Sequence, residues 1–259
     1  MPFADVNGQH LAYEDTGGDG PAVILSHGFL MNRAMFAPQV AALKDRYRVI
    51  TWDERGFGET PARGPFTYWD SADDCIALLD HLGVERAVLG GMSQGGFLSL
   101  RAALRYPDRV RALVLIDTAA EVDPPEVLAG YQQMLDGWAA GAREQIAPTV
   151  AGLILGPEEH WEPWVSGWAD LDLEGLRHAG AALLGRDDIS PRVPEITCPA
   201  IVFHGSEDTA IPLERAQRLC RDLPKCEGVV EVPGAFHAPN LTHPDAVNPR
   251  LIAFLDGLG

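Results

Sequence analysis

The sequence predicts an α/β protein with a mostly parallel sheet covered by helices on both faces. Short, continuously apolar runs of strand length alternate with stretches of helical apolar spacing along most of the chain. A serine framed by glycines falls between one such run and one such helix, and the alternation stops only once, between about Glu121 and Pro194. Strands buried on both faces lose the apolar/polar alternation of half-exposed ones, so a parallel sheet reads as continuous Val/Ile/Leu runs.

Phe3 to Tyr13 alternates weakly around the turn dipeptide Asn7-Gly8 and is expected to form two antiparallel edge strands. Pro21 to Ser26 and Tyr47 to Trp52 are strand runs, separated by helical spacing from Met35 to Leu43. A helix from about Trp69 to Leu82 leads into the run Arg86 to Gly90, and Gly95 to Tyr106 is again helical. Arg111 to Ile116 is the next strand. After the break come the strand Pro199 to His204, a helix from Leu213 to Leu223, the strand Gly228 to Val232 and a final helix from about Pro244 to Leu258. The expected organisation is a core of residues 1–120 and 195–259, with residues 121–194 inserted as a helical cap.

A chain of 259 residues, 46% hydrophobic, is long enough to bury one large core. Its formal net charge of −17 repels polyanions, which argues against nucleic acid or an anionic membrane surface as partner. No signal peptide or membrane-spanning run is read, so a cytoplasmic protein is expected, of open oligomeric state. Cys75, Cys198, Cys220 and Cys226 lack metal-type spacing. They are expected as free thiols, although Cys220 and Cys226 are close enough in sequence to bridge.

Gly91-Met92-Ser93-Gln94-Gly95 carries the chemistry. In a nucleophile elbow the serine occupies a strained turn between strand and helix, so positions two residues to either side must be small for the two elements to pass. A serine hydroxyl becomes nucleophilic only when a base removes its proton and a carboxylate orients that base. His237 follows the last expected strand and is the expected base, whereas His243 suits the start of the final helix. Asp208 follows the preceding strand and is the expected orienting carboxylate, with Glu207 and Asp117 as rivals. Neither metal nor cofactor is required.

The order Ser, Asp, His, together with His27-Gly28, Asp53-Glu54-Arg55-Gly56-Phe57-Gly58 and Tyr106-Pro107-Asp108, resembles the α/β-hydrolase superfamily over nearly the whole chain. The likeness is greatest to small esterases, enol-lactonases and cofactor-free haloperoxidase or perhydrolase relatives. That resemblance implies an oxyanion hole made by the backbone N–H groups of Phe29 and Gln94. Gln94 stands where methionine is common, which leaves the backbone donor in place. It also implies that Asp53, Arg55 and Gly56 brace loops and that the cap covers an apolar substrate pocket. Phe29, Leu30, Met92 and Phe236 flank the reacting positions, and Trp138, Trp161, Trp164 and Trp168, with Leu153, Ile154 and Leu155, give the insertion a large apolar surface; the first four and Trp138, Trp161 and Trp164 are the expected pocket residues.

The expected activity is hydrolysis of small to medium uncharged esters or lactones through an acyl-enzyme. Enol-lactone opening, perhydrolysis and carbon–carbon cleavage use the same residues, and a receptor-like binding protein is the reading from another class. Relatives that dehalogenate or open epoxides place aspartate where this chain has Ser93.

Overall fold

The computed structural model describes residues 2–259. Eight strands, β1 (Phe3–Val6), β2 (Gln9–Asp15), β3 (Ala22–Ser26), β4 (Arg48–Trp52), β5 (Ala87–Met92), β6 (Val110–Ile116), β7 (Ala200–Gly205) and β8 (Cys226–Val232), form one sheet in the order β1-β2-β4-β3-β5-β6-β7-β8. β2 runs antiparallel to β1 and β4, and all other neighbours are parallel.

The helices of the alternating part are α1 (Ala37–Leu43), α2 (Tyr68–His81), α3 (Gln94–Arg105), α8 (Leu213–Asp222), the single turn α9 (Pro239–Thr242) and α10 (Pro244–Gly257). Strand side chains alternate between two apolar layers because successive Cβ atoms point to opposite faces. Val23, Leu25, Val49 and Val114 pack with Leu43 of α1 and with Leu251 and Phe254 of α10. Ile24, Ile50, Leu89 and Leu113 pack on the other face with Leu78 of α2, Leu98 of α3 and Leu219 of α8.

The chain therefore leaves β3 toward one face and β5 toward the other. A crevice opens at the carboxyl ends of two strands whose connections diverge, the usual ligand position in a doubly wound sheet. Register aligns those ends: Ser26 pairs with Gly91, and Met92 with Ile116.

Between β6 and β7 lie α4 (Pro125–Ala139), α5 (Arg143–Leu155), the single turn α6 (Trp164–Gly167) and α7 (Leu173–Leu184). Trp138, Trp164, Trp168, Leu155 and Leu176 belong to the same apolar cluster as the α1 and α10 face.

One expectation is corrected. Cys220 and Cys226 form a disulfide, because the short turn from α8 into β8 brings their Cα atoms to 5.3 Å, within bridging range. Cys75 and Cys198 remain thiols.

Candidate active site

β5 ends at Met92 and α3 begins at Gln94, so Ser93 alone makes the turn, at φ 52° and ψ −112°. A non-glycine residue held there costs on the order of 1–3 kcal/mol and persists only where its surroundings fix it. Ser93 N–H donates to Ile116 O at 2.8 Å, and Ser93 O accepts from Gly96 N–H at 2.9 Å and from Thr118 Oγ1 at 2.8 Å. The flanking glycines are demanded by contact: a Cβ at Gly91 would lie 2.0 Å from Gly95 C, and one at Gly95 only 1.9 Å from Ser26 O.

The loop after β3 faces this turn. His27 is fully buried; its Nδ1–H donates to Gly28 O at 2.8 Å and its Nε2 accepts Glu54 N–H at 2.9 Å. Burial pushes its pKa down, which keeps the ring neutral as that hydrogen-bond pattern requires. A Cβ on Gly28 would meet Met92 Sδ at 2.2 Å, so the loop lies directly against the elbow. Leu30 has φ 63°, and its carbonyl accepts Trp168 Nε1–H at 2.6 Å, so the inserted segment grips the loop.

Beneath the loops, Asp53 pairs with Arg33 and accepts N–H from Arg33 and Glu59, while Arg55 binds Asp74 at 2.5 and 2.8 Å. Gly56 lies against Gly175 of α7. Glu54 is fully buried beside the Gln94 side chain. Burial drives its carboxyl well above the usual range; the nearby Gln94 amide, too poorly aligned for a regular hydrogen bond, offsets part of this, and Asp74 adds to the rise. Both Glu54 oxygens and Gln94 Nε2 lack hydrogen-bond partners among the described residues.

On the other side of the crevice, His237 Nδ1 lies 2.8 Å from Asp208 Oδ2. Asp208 Oδ1 accepts N–H from Ala210 at 2.8 Å and Ile211 at 3.2 Å. Burial alone would raise the Asp208 pKa, but the charge and hydrogen bond of His237 outweigh it and hold the carboxyl below its usual range. The rivals lie elsewhere: His243 heads α10, with Nδ1 2.9 Å from Thr242 Oγ1, and Glu207 is exposed. Asp117 sits behind Asp208, fully buried.

Ser93 and His237 open on one cavity of about 50 Å³. Phe29, Leu30 and Phe97 line it from the core, and Tyr131, Met134, Val150, Leu153, Ile154 and Leu183 from the inserted helices. Asp123 also reaches it, with one oxygen bound by Arg186 and the other by Arg215. Among the described residues no lysine or arginine lines the cavity.

Of the seven expected pocket residues only Phe29 and Leu30 are found there. Met92 is buried under Gly28, and Trp138 stacks edge-on against Trp168 at 5.9 Å inside the insertion. Trp161 donates Nε1–H to Gly156 O at 2.8 Å, and Phe236 packs on Gly156. Trp164 lines a separate cleft of about 1140 Å³ on the far side of Leu30. Aromatic surface in the insertion is spent on its own packing, and medium-sized aliphatic residues with Tyr131 face Ser93. Tyr131, Met134 and Asp123 carry no spacing signal in the sequence and are not among the expected residues.

A strand–elbow–helix serine at the carboxyl edge of an eight-stranded, mostly parallel sheet defines a hydrolase class, and the chain belongs to it: the model of the alpha/beta hydrolase fold family matches residues 21–244. Among curated proteins it is similar to a putative carbamate hydrolase RutD of Agrobacterium fabrum, 31% identical and covering 93% of this chain and 95% of the relative. A 3-oxoadipate enol-lactonase 2 of Acinetobacter baylyi is 30% identical, over 92% of this chain and 89% of its own. Among solved structures, a thermophilic esterase from Thermogutta terrifontis superimposes with a TM-score of 0.88 at 31% identity, over 98% of this chain and 96% of that one.

Proposed function

We propose that the protein is a serine hydrolase of short, uncharged carboxylic esters. The observation that carries this reading is that Ser93, on a strained one-residue turn, and His237, whose Nδ1 lies 2.8 Å from Asp208, open on one cavity. Ser93 Oγ attacks the substrate carbonyl while His237 Nε2 takes its proton, and Asp208 accepts the Nδ1 proton and stabilises the imidazolium. The developing oxyanion rests on the main-chain N–H groups of Phe29 and Gln94. Gln94 opens α3, where N–H groups have no acceptor within the helix. His237 then protonates the departing alcohol. Water, deprotonated by the same ring, releases the acid and restores Ser93.

Size and polarity of the cavity support the substrate class. One ordered water needs roughly 10–15 Å³ of such space, so about 50 Å³ suits an acyl group of a few heavy atoms. A ring or chain bearing a carboxylate would enter an apolar wall without a facing cation, which is costly. Lactone opening of uncharged rings remains within reach of the same groups, in keeping with a relative named as an enol-lactonase.

The test is turnover of p-nitrophenyl acetate and butyrate without added metal. Ser93→Ala should be at least about a thousandfold slower, as expected when a triad member is lost. Equal rates for the two proteins would end the proposal.

A further inference from the structure

Two buried titratable side chains next to the triad, Asp117 and His204, have no part in the mechanism above. Asp117 follows β6 and His204 lies within β7; neither has exposed surface. His204 Nδ1 is 3.4 Å from Asp117 Oδ1, and its Nε2 is 3.9 Å from Asp208 Oδ2. Donor atoms of Asp117, Asp208 and His237 lie within 4.8 Å of one another. Asp117 holds φ 42°, a left-handed conformation that aspartate tolerates better than most residues. Its Oδ1 accepts Gly205 N–H at 2.9 Å, while its Oδ2 and both His204 nitrogens have no hydrogen-bond partner among the described residues.

Two carboxyls this close in a dry interior do not both ionise, so one keeps a proton. Hydrogen bonds decide which. Asp208 accepts from His237, Ala210 and Ile211, whereas Asp117 accepts from Gly205 alone. The charge therefore resides on Asp208, and the proton belongs on the unpartnered Oδ2 of Asp117. In agreement, burial and the neighbouring Asp208 push Asp117 well above the carboxylate range, while Asp208 stays below it.

Resting on the Ser93–His237–Asp208 reading, we propose that Asp117 is a reserve carboxyl of the triad. It holds a proton and leaves the charge on Asp208 in the intact site, and it becomes the orienting carboxylate of His237 when Asp208 is neutralised. In the second state the Asp117 proton passes to solvent, because the Asp208 charge that opposed its release has gone and a hydrogen bond from His237 Nδ1–H offsets what burial still costs. A side-chain rotation then closes the gap to His237 Nδ1. The groups facing Asp117 in either state are His204 from β7, with Asp208 and His237 from the two following loops.

The experiment is a cycle of shape-conserving amides, Asp117→Asn, Asp208→Asn and the double variant, assayed on p-nitrophenyl acetate. Loss of a sole orienting carboxylate costs about 10⁴-fold in kcat. Here Asp208→Asn should lose only about 10- to 100-fold, Asp117→Asn about three- to tenfold, and the double variant about 10⁴-fold. A merely structural Asp117, bracing Gly205, gives the same factor in both backgrounds, and that additive result overturns the proposal. Carboxyl-carbon NMR supplies a second readout: Asp117 should be protonated at neutral pH in the wild type and titrate at lower pH in Asp208→Asn. An ionised Asp117 in the neutral wild type overturns the proposal even if a variant does not fold. Ser93→Ala separates the two readings, because an inactive Ser93→Ala beside an additive cycle removes only the reserve role.

Discussion

Ser93 and the loop after β3 are carried on strand ends in register, where close contact leaves room for little but glycine at Gly91, Gly95 and Gly28. The opposite side of the cavity, formed by Tyr131, Met134, Val150, Leu153, Ile154 and Leu183, is carried on helices whose placement rests on side-chain packing. The first wall has no spare volume around its backbone, and the second is lined by aliphatic side chains of intermediate size. Chemistry that tolerates errors of well under an ångström belongs on the first kind of wall, and substrate fit can drift on the second.

Glycine substitution breaks the comparison most strongly. Gly95→Ala forces a Cβ to 1.9 Å from Ser26 O, so strand and helix must separate. We expect no folded protein, or a loss above about 4 kcal/mol, the range of severe backbone or packing disruption. Gly130 lies inside α4 with nothing within 4 Å of the same probe position. Gly130→Ala should gain about 0.5–1 kcal/mol from helix propensity and a less flexible unfolded chain. Urea midpoints of the two variants check the pair, and similar midpoints would remove the distinction between the walls.

Trp168 joins the walls through its hydrogen bond to Leu30 O, one residue after Phe29, the proposed oxyanion donor. Trp168→Phe keeps most of the packing and deletes that bond. If the insertion holds the oxyanion loop in its positive-φ shape, kcat should fall about tenfold with KM nearly unchanged, since oxyanion contacts strengthen only in the transition state. A rise in KM alone would make Trp168 part of the substrate surface.

The two walls also differ in how far they could be read from sequence. Gly91, Ser93 and Gly95 were legible because close passage of strand and helix dictates residue size at fixed spacing. The strands were legible because burial on both faces leaves continuous apolar runs. Asp208 and His237 could be placed because each follows a late strand. What stayed hidden depends on neighbours in space. The pairing of Asp117 with Asp208 requires knowing that β6 lies beside β7, and the Cys220–Cys226 bridge depends on the angle at which α8 enters β8. Facing in the insertion was hidden for a different reason. α5 is apolar on more than one side, so Leu153 and Ile154 reach the cavity while Ala151 and Leu155 join the same core as the tryptophans.

Buried charge sharpens the contrast by the smallest margin. On the helical wall Asp123 has both oxygens bound by arginines, whereas Glu54, under Gln94 on the sheet wall, has neither oxygen hydrogen-bonded among the described residues. Burial raises the folded-state pKa of Glu54, so the folded protein binds a proton that the unfolded chain releases near pH 4.5. The stability contributed by that proton is complete below the unfolded value and is lost as pH rises through the folded one, by about 1.4 kcal/mol per pH unit in between. Glu54→Gln keeps the shape and cannot ionise. Its melting temperature should therefore track the wild type near pH 4.5 and move above it as pH rises, by about 2–4 °C for each kcal/mol. Asp117 is also shifted upward and bends both curves alike, so the difference between the two proteins reports Glu54 together with its coupling to Asp74. Parallel melting curves from pH 5 to about pH 9 would mean that Glu54 ionises in the folded state at little cost, and that the sheet wall tolerates charge as readily as the helical wall does at Asp123.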